Sequence, residues 1–577
     1  MDIQTRSFNP KNNKLSPELD PLLQRIYQGR AVYDQGSLSR HLSCLPQPVL
    51  LKDMGKAVTR LCLALRHQEQ IVIVGDFDAD GATSTAMMML ALEAMGFKNL
   101  AFLVPNRFDY GYGLTPEIVD LAQQYNPQLI VTVDNGITSI DGVLHAENLG
   151  VDVIITDHHL PGDVLPQATA IVNPNQPNCE FPAKNLAGVG VAFYLLSGLR
   201  AELRRIDWFD QNNLDEPNMA NWLDLVALGT VADVVPLDQV NRALVYQGLL
   251  RIRLGYCRQG IKALLRIAGK NSQRLVATDL GFAIGPRLNA AGRLDDISLG
   301  IQCLLAVDDH EAMKTAESLD QLNKDRKLIE KSMQREAIIE LEKRPLQLEN
   351  IPSVLCLFQP DWHQGVVGLV ASRLKEKYHR PVIAFARAEN GYLKGSSRSI
   401  PGIHIRDAME AVATAHPDLI TKFGGHAMAA GLTLEEARLE HFICIFQQYV
   451  DKIIDPEDLR FKIMTDGNLE PDQINIQNAR LIQEAGPWGQ QFPEPSFEGT
   501  FIIKNQRLVG ENHLKLVLSS ELALDINLDA IFFNIDTELW PNDKVDRVQC
   551  VYRLDINDFR GQQNLQILLQ YMVPCEV

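Results

Sequence analysis

The feature that most constrains the fold is an alternation running from residue 71 to about 175. Apolar runs at 71–74, 100–104, 129–133 and 151–155, with a further one at 170–172, alternate with stretches of helical punctuation at 82–95, 116–125 and 139–149. Pro116 sits near a helix start, and Gly96 and Gly150 stand just past helix ends, as such boundaries require. This βαβα pattern predicts a parallel sheet with helices on both faces. In such a sheet the residues that follow the strand C-termini converge on one crevice, where ligands bind.

Those positions are acidic. The first run opens into Asp76-Phe77-Asp78-Ala79-Asp80-Gly81, the third into Asp134-Asn135-Gly136, and the fourth into Asp157-His158-His159. Carboxylates at alternate positions beside an apolar strand repel one another and are costly to leave uncompensated, and a bound cation is the simplest remedy. A calcium loop is excluded: it needs Glu at its twelfth position, which here is Met87, and a helix rather than a strand before it. A dinuclear centre fits better, with Asp78, Asp80, Asp134 and His158 as ligands and His159 beside them. Asp233, an acid inside the apolar stretch 227–236, is a further candidate. Carboxylate and imidazole donors without thiolate suit Mn2+ or Mg2+. Two such ions clamp the attacking and leaving oxygens of a phosphate ester and acidify a bound water. Taken singly, each Asp also reads as a helix N-cap and the His pair as part of a hydrogen-bonded loop.

Arginine- and glycine-rich segments supply candidate phosphate sites. They are Gly285-Pro286-Arg287-Leu288-Asn289-Ala290-Ala291-Gly292-Arg293, read as a small-residue loop; Gly395-Ser396-Ser397-Arg398-Ser399; and Phe423-Gly424-Gly425-His426, read as a turn entering a helix. Arg107 follows the second strand. Neither a P-loop nor a dinucleotide fingerprint is present.

Composition narrows the rest. A net charge of −17 disfavours a polyanion partner on average, yet residues 239–278 hold no acid and carry Arg242, Arg251, Arg253, Arg258, Lys262, Arg266, Lys270 and Arg274. Residues 371–422 are also basic on balance. These zones read either as a backbone track or as helix faces balanced by neighbouring acids. The nine cysteines stand singly, no apolar run is long enough for a membrane, and no secretory leader is visible, so a reduced cytoplasm is expected. Residues 186–300 read as mostly helical, and 309–343 as one long polar helix bridging two domains. A second α/β pattern covers 354–358, 366–378 and 382–385, and beyond about 460 short strands predict a small antiparallel barrel or sandwich.

Together the strings at 76–81, 134–136, 157–159 and 285–293 resemble the motifs of the DHH phosphoesterase family, and those at 395–399 and 423–431 are similar to its associated second domain. The resemblance spans nearly the whole chain. It implies an N-terminal region and catalytic domain over 1–308, a connecting helix over 309–345, a substrate-binding domain over 346–455 and an oligonucleotide-binding (OB-like) barrel over 456–577. It implies Asp78, Asp80, Asp134, His158 and Asp233 as ligands of two Mn2+ or Mg2+ ions, Asp76 as their acidic neighbour and His159 as a catalytic or supporting group. Arg107, Arg287, Asn289, Arg293, Ser396, Arg398, Gly424, Gly425 and His426 would hold DNA. Some relatives carry His where this chain has Val74, which leaves the first ion to Asp76 or water. The implied activity is a metal-dependent 5′→3′ exonuclease on single-stranded DNA, releasing mononucleotides in repair and recombination. The strand would pass through a gap between the two α/β domains. The implied protein is a cytoplasmic monomer without membrane attachment, and its implied partners are a single-strand-binding protein, a helicase and mismatch-repair factors. The rival readings are a hydrolase of short oligonucleotides, cyclic dinucleotides or polyphosphate, and a DNA-binding scaffold without catalysis.

Overall fold

The fold comes from a computed structural model, which describes residues 2–106, 110, 112–343, 351–521, 523–559 and 561–575. Its contacts divide it into two units, one built mainly from 320–463 with 293–295, the other from 3–292, 296–319 and 464–577.

The larger unit holds the alternation predicted from the sequence. Strands β1 (Ile71–Gly75), β2 (Leu100–Leu103), β3 (Leu129–Val133), β4 (Asp152–Thr156) and β5 (Ala170–Val172) form one sheet in the order β2-β1-β3-β4-β5. Every neighbouring pair is parallel. The register sets Val74 beside Thr132 and Val133 beside Thr156, so the three acid-bearing strands end level with one another. One face of the sheet buries Val72, Val74, Ile130 and Ile155 against Leu114, Ile118, Val119 and Val143. Helix α1 (Ala79–Ala94) is apolar on every side and buried along most of its length, as a helix covered from all directions must be. It starts before the expected residue 82 because the Asp78 carboxylate caps it, accepting from the Asp80 and Gly81 N–H groups at 2.9 and 3.1 Å.

The same unit ends in a closed five-stranded barrel of Phe497–Val509, His513–Ser520, Ala523–Phe532, Arg547–Phe559 and Gln562–Pro574. Two expectations are corrected here. Several strands reach thirteen residues rather than being short. The barrel is also not wholly antiparallel, since its third and fifth strands pair in parallel, Ala530 beside Ile567. Successive strands alternate in direction, so closure that seats the fifth beside the third must join two strands running the same way.

The smaller unit contains a mixed sheet. Its first two strands, Leu355–Phe358 and Val382–Arg387, are parallel, and Tyr392–Arg398, Ala429–Glu435 and Lys422–Gly425 follow antiparallel. Phe385, Leu432, Phe442 and Phe446 form part of its core. The 35-residue helix Asp309–Lys343 begins in the larger unit. Within the smaller one it buries Met333, Ala337 and Leu341 against Trp362, Val367 and Val370.

Candidate metal centre

The strand order reverses between β1 and β3, and the crevice of an open parallel sheet lies at such a switch point. The turns after β1, β3 and β4 all face it. Asp76, Asp80, Asp134 and Asp157 are buried there, and His158 and His159 are half-buried. Asp233, the cap of helix Leu223–Ala232, reaches the same place from outside the sheet. Each of three sets offers ligand atoms within 4.8 Å of one another: Asp76, Asp78 and Asp134; Asp80, His158 and Asp233; and Asp134, His158 and His159. Asp134 and His158 each belong to two of these sets.

The carboxylates are held before any ion arrives. Asp80 Oδ2 accepts from Gly188 N–H at 2.6 Å and Oδ1 from Val189 N–H at 3.0 Å, the first residues of helix Gly188–Arg205. A helix start is a favourable place for an anion. Asp134 adopts a left-handed backbone (φ 63°) and donates its N–H to Thr156 O at 3.0 Å, which turns its side chain into the crevice. Small residues make the room. A Cβ on Gly188 would stand 2.6 Å from Asp134 Cβ and Oδ1, and one on Gly229 would stand 2.8 Å from Asp80 Oδ1.

Donors do not match acceptors. Among the described residues Asp134 Oδ1 and Asp233 Oδ2 are buried without a hydrogen bond, although His158 Nε2 lies 3.1 and 3.5 Å away. Burial, then the charges of Asp233 and Asp78, push the Asp80 carboxyl well above its ordinary range. Burial, then Asp80 and Asp78, does the same to Asp134. Burial and Asp78 push Asp233 up to about 7. Acids pushed up by burial and by one another's charge are what a cation would relieve. The hard-oxygen and imidazole donors fit Mn2+ or Mg2+.

Asp157 is different. Its Oδ1 accepts from the His158 and His159 N–H groups at 2.7 and 3.0 Å and pairs with His159 Nδ1 at 2.8 Å, while Oδ2 accepts from Ile137 N–H at 2.9 Å. Burial raises its pKa, but the His159 hydrogen bond and charge outweigh that and leave it lowered. His159 responds in kind: burial lowers it, and Asp157 brings it up to about 9. Tyr112 adds a hydroxyl 3.1 Å from His159 Nδ1 and 3.3 Å from Asp134 O. Sequence reading missed Tyr112, Gly188 and Gly229, because nothing in their local pattern marks an approach to distant strand ends.

The phosphate candidates take several forms. Residues 285–293 are not a loop but part of helix Gly285–Leu294, preceded by a π-helical turn, Leu280–Ile284. Helix packing explains the small residues: a Cβ on Gly292 would collide with Phe77 O, and one on Gly285 would lie 3.1 Å from Ala232 Cβ. Asn289 Oδ1 accepts from Ala79 N–H at 2.7 Å and so pins the acidic turn. Arg287 bonds to Ala283 O, and Arg293 donates to Gly365 O at 3.1 Å. In the smaller unit Ser396 and Arg398 lie close to Gly368, where a Cβ would be 2.9 Å from Ser396 Oγ and 3.1 Å from Arg398 Nη2. The segment after Gly424 enters a strand, not the expected helix. Gly425 has φ 135°, and His426 N–H meets Ala429 O at 2.8 Å to close a hairpin. Arg107 lies outside the described residues.

Most basic side chains of the zone 239–278 have partners within the fold, with Arg266, Lys270 and Arg274 remaining about half exposed. Arg242 donates to Leu237 O and Ser37 O, both at 2.8 Å, and Arg253 to Leu275 O at 2.8 Å. Arg258 meets Asp224, Arg266 meets Asp309, Lys270 meets Asp279 and Arg274 meets Asp558. These pairings are those the balanced alternative expects.

Comparison with known proteins agrees with this architecture. Residues 70–230 match the DHH family, N-terminal domain; 352–452 match the DHHA1 domain; and 465–571 match the RecJ OB domain. The chain is 54% identical over 561 residues to the single-stranded-DNA-specific exonuclease RecJ of Salmonella typhimurium, covering 97% of each. It superposes on the crystal structure of RecJ in complex with Mn2+ from Thermus thermophilus with TM-score 0.81 and 29% identity, covering all of this chain and 80% of that one. The corresponding Mg2+ complex gives 0.75 and 27%, covering all of this chain and 79% of the other.

Proposed function

We propose that this chain, which belongs to the family of the single-stranded-DNA-specific exonuclease RecJ, hydrolyses phosphodiester bonds of single-stranded DNA at the β1/β3 switch point with two Mn2+ or Mg2+ ions, releasing mononucleotides from the 5′ end. The observation that carries this reading is the surplus of acceptors: buried Asp76, Asp80 and Asp134 and half-buried Asp78 and Asp233 converge with His158, with Asp134 Oδ1 and Asp233 Oδ2 both turned to its Nε2 at 3.1 and 3.5 Å.

Asp76, Asp78 and Asp134 would hold one ion, and Asp80, His158 and Asp233 the other, with Asp134 and His158 at the junction. When bound, the ions supply Lewis acidity toward the phosphate and acidify water. The protein contributes geometry. The Gly188 and Val189 N–H groups fix the Asp80 carboxylate, and Asn289 fixes the turn that carries Asp78. Asp157 accepts the Nδ1–H hydrogen bond of His159, so proton exchange with the reacting phosphate falls to Nε2. Arg107, Arg287 and Arg293 would hold backbone phosphates, Ser396 and Arg398 the terminal 5′-phosphate, and Gly424, Gly425 and His426 would form a substrate-binding loop.

The barrel at 497–574 favours a long strand over dinucleotides or polyphosphate, which need no such surface. Nine cysteines that stand singly in the sequence fit work in the cytoplasm, and among the described residues no helix is long and apolar enough to cross a membrane. We place a single-strand-binding protein, a helicase and mismatch-repair factors beside it as partners, and the chain itself as a monomer. The test is digestion of end-labelled single- and double-stranded DNA with Mn2+, Mg2+ or chelator. Mononucleotides should come only from single strands, from the 5′ end, and only with metal; metal-independent release, or equal release from duplex, would overturn the reading.

A further inference from the structure

Phe282 is 82% exposed, more than any other phenylalanine or tyrosine among the described residues. Single exposed apolar side chains are ordinary. The setting of this one is not. It lies in the π-helical turn Leu280–Ile284, a rare element that recurs at functional sites, and Leu280, Ala283 and Ile284 around it are buried. The turn is wedged against the helix that ends in Asp233. A Cβ on Gly281 would lie 3.2 Å from Val231 Cγ1, and one on Gly285 would lie 3.1 Å from Ala232 Cβ. Downstream, the same segment holds the acidic turn through Asn289 and carries Arg287. Phe282 thus stands with its ring in water on a turn packed against the helix that Asp233 caps.

Arg287 follows five residues after Phe282, in the helix that continues from the π-helical turn. A cation and an aromatic ring carried by one short segment match a nucleotide, which offers a phosphate to one and a base face to the other. Val234, next to Asp233, is 60% exposed and holds a left-handed backbone (φ 62°), a strained state for a β-branched residue, so the neighbouring turn is also shaped against its local preference. Resting on the single-strand exonuclease reading above, we infer that Phe282 is the stacking platform for one base of the bound strand, close to the cleaved phosphate. Stacking is blind to sequence because every base has a π-face, and it requires an unpaired base, so the residue contributes to strand selectivity.

The test uses the full chain and 5′-phosphorylated thymidine oligonucleotides. Affinity is read by fluorescence anisotropy in chelator, with one abasic site moved stepwise from the 5′ end. Phe282→Ala should bind about tenfold more weakly and melt at the wild-type temperature, while Phe282→Trp should keep the affinity. In the wild type, one abasic position should cost a similar factor, and that step should vanish in Phe282→Ala. Wild-type affinity in Phe282→Ala, or an unchanged abasic profile, would overturn the inference and point to a protein-docking role. Failure of the exonuclease reading itself would show separately, as no digestion by the wild type with Mn2+.

Discussion

Two stretches of the larger unit concentrate charge and resolve it in opposite ways. At the ends of β1, β3 and β4 the acids exceed their donors, and Asp80, Asp134 and Asp233 are driven toward their protonated forms. In the basic zone 239–278 the acids that are missing locally arrive from elsewhere in the fold, as Asp224, Asp309, Asp279 and Asp558. Both have the look of ligand sites in the sequence. What separates them is whether the fold itself completes the charge balance. A surplus that folding leaves uncompensated calls for a ligand, and a surplus it neutralises is architecture.

The contrast can be broken most decisively at Asp134. Replacing it with Ala should lower hydrolysis at least about a hundredfold while single-strand affinity is largely kept, since removing a group that merely supports a metal ligand already costs up to about that factor. The metal-free protein should become no less stable, because one of several repelling carboxylates is gone. A clear drop in its melting temperature would mean that the acid is structural. The corresponding cut in the paired region is Asp224→Ala. This buried carboxylate accepts from Arg258 N–H at 2.7 Å and Leu225 N–H at 2.9 Å. Its loss should cost about 2–3 kcal/mol in urea unfolding and leave turnover per folded molecule unchanged.

pH sharpens the comparison further. A carboxylate whose folded pKa lies above its unfolded value favours the folded state when protonated. The metal-free protein should therefore lose stability as pH rises from about 4 through the value near 7 held by Asp233, with Asp80 and Asp134 acting in the same direction. Mn2+ should raise the melting temperature by a few degrees at pH 8 and by less at pH 5.5, and its binding should release protons. A shift independent of pH would contradict the assignment. The smallest effects belong to the exposed pairs: Arg266→Ala and Arg274→Ala should each change stability by less than about 1 kcal/mol. Neither should alter the salt dependence of DNA binding; a slope reduced by about one per substitution would restore the zone as a phosphate track.

Much of this is legible in the chain. Runs such as Ile71-Val72-Ile73-Val74 declare buried parallel strands because apolar composition and length leave little alternative, and the acids that follow are then bound to meet at the strand ends. Asp233 stands out as an acid in an apolar stretch. The misreadings share one cause. Gly285, Gly292 and Gly425 read in sequence as loop or turn-to-helix glycines, but two serve close helix packing and one a hairpin, and a small residue by itself does not say which neighbour it makes room for.

Local pattern thus determined the elements and the acids at their tips, since both follow from hydrophobic periodicity and from the chemistry of residues adjacent in the chain. Only the tertiary structure decided which charges stay uncompensated. Asp80 meets the start of a helix 108 residues later, Arg274 meets Asp558, and the room for Asp134 depends on Gly188. Burial and partnership are properties of contacts between distant segments, and the energy of a charge is set by those contacts rather than by its neighbours in sequence.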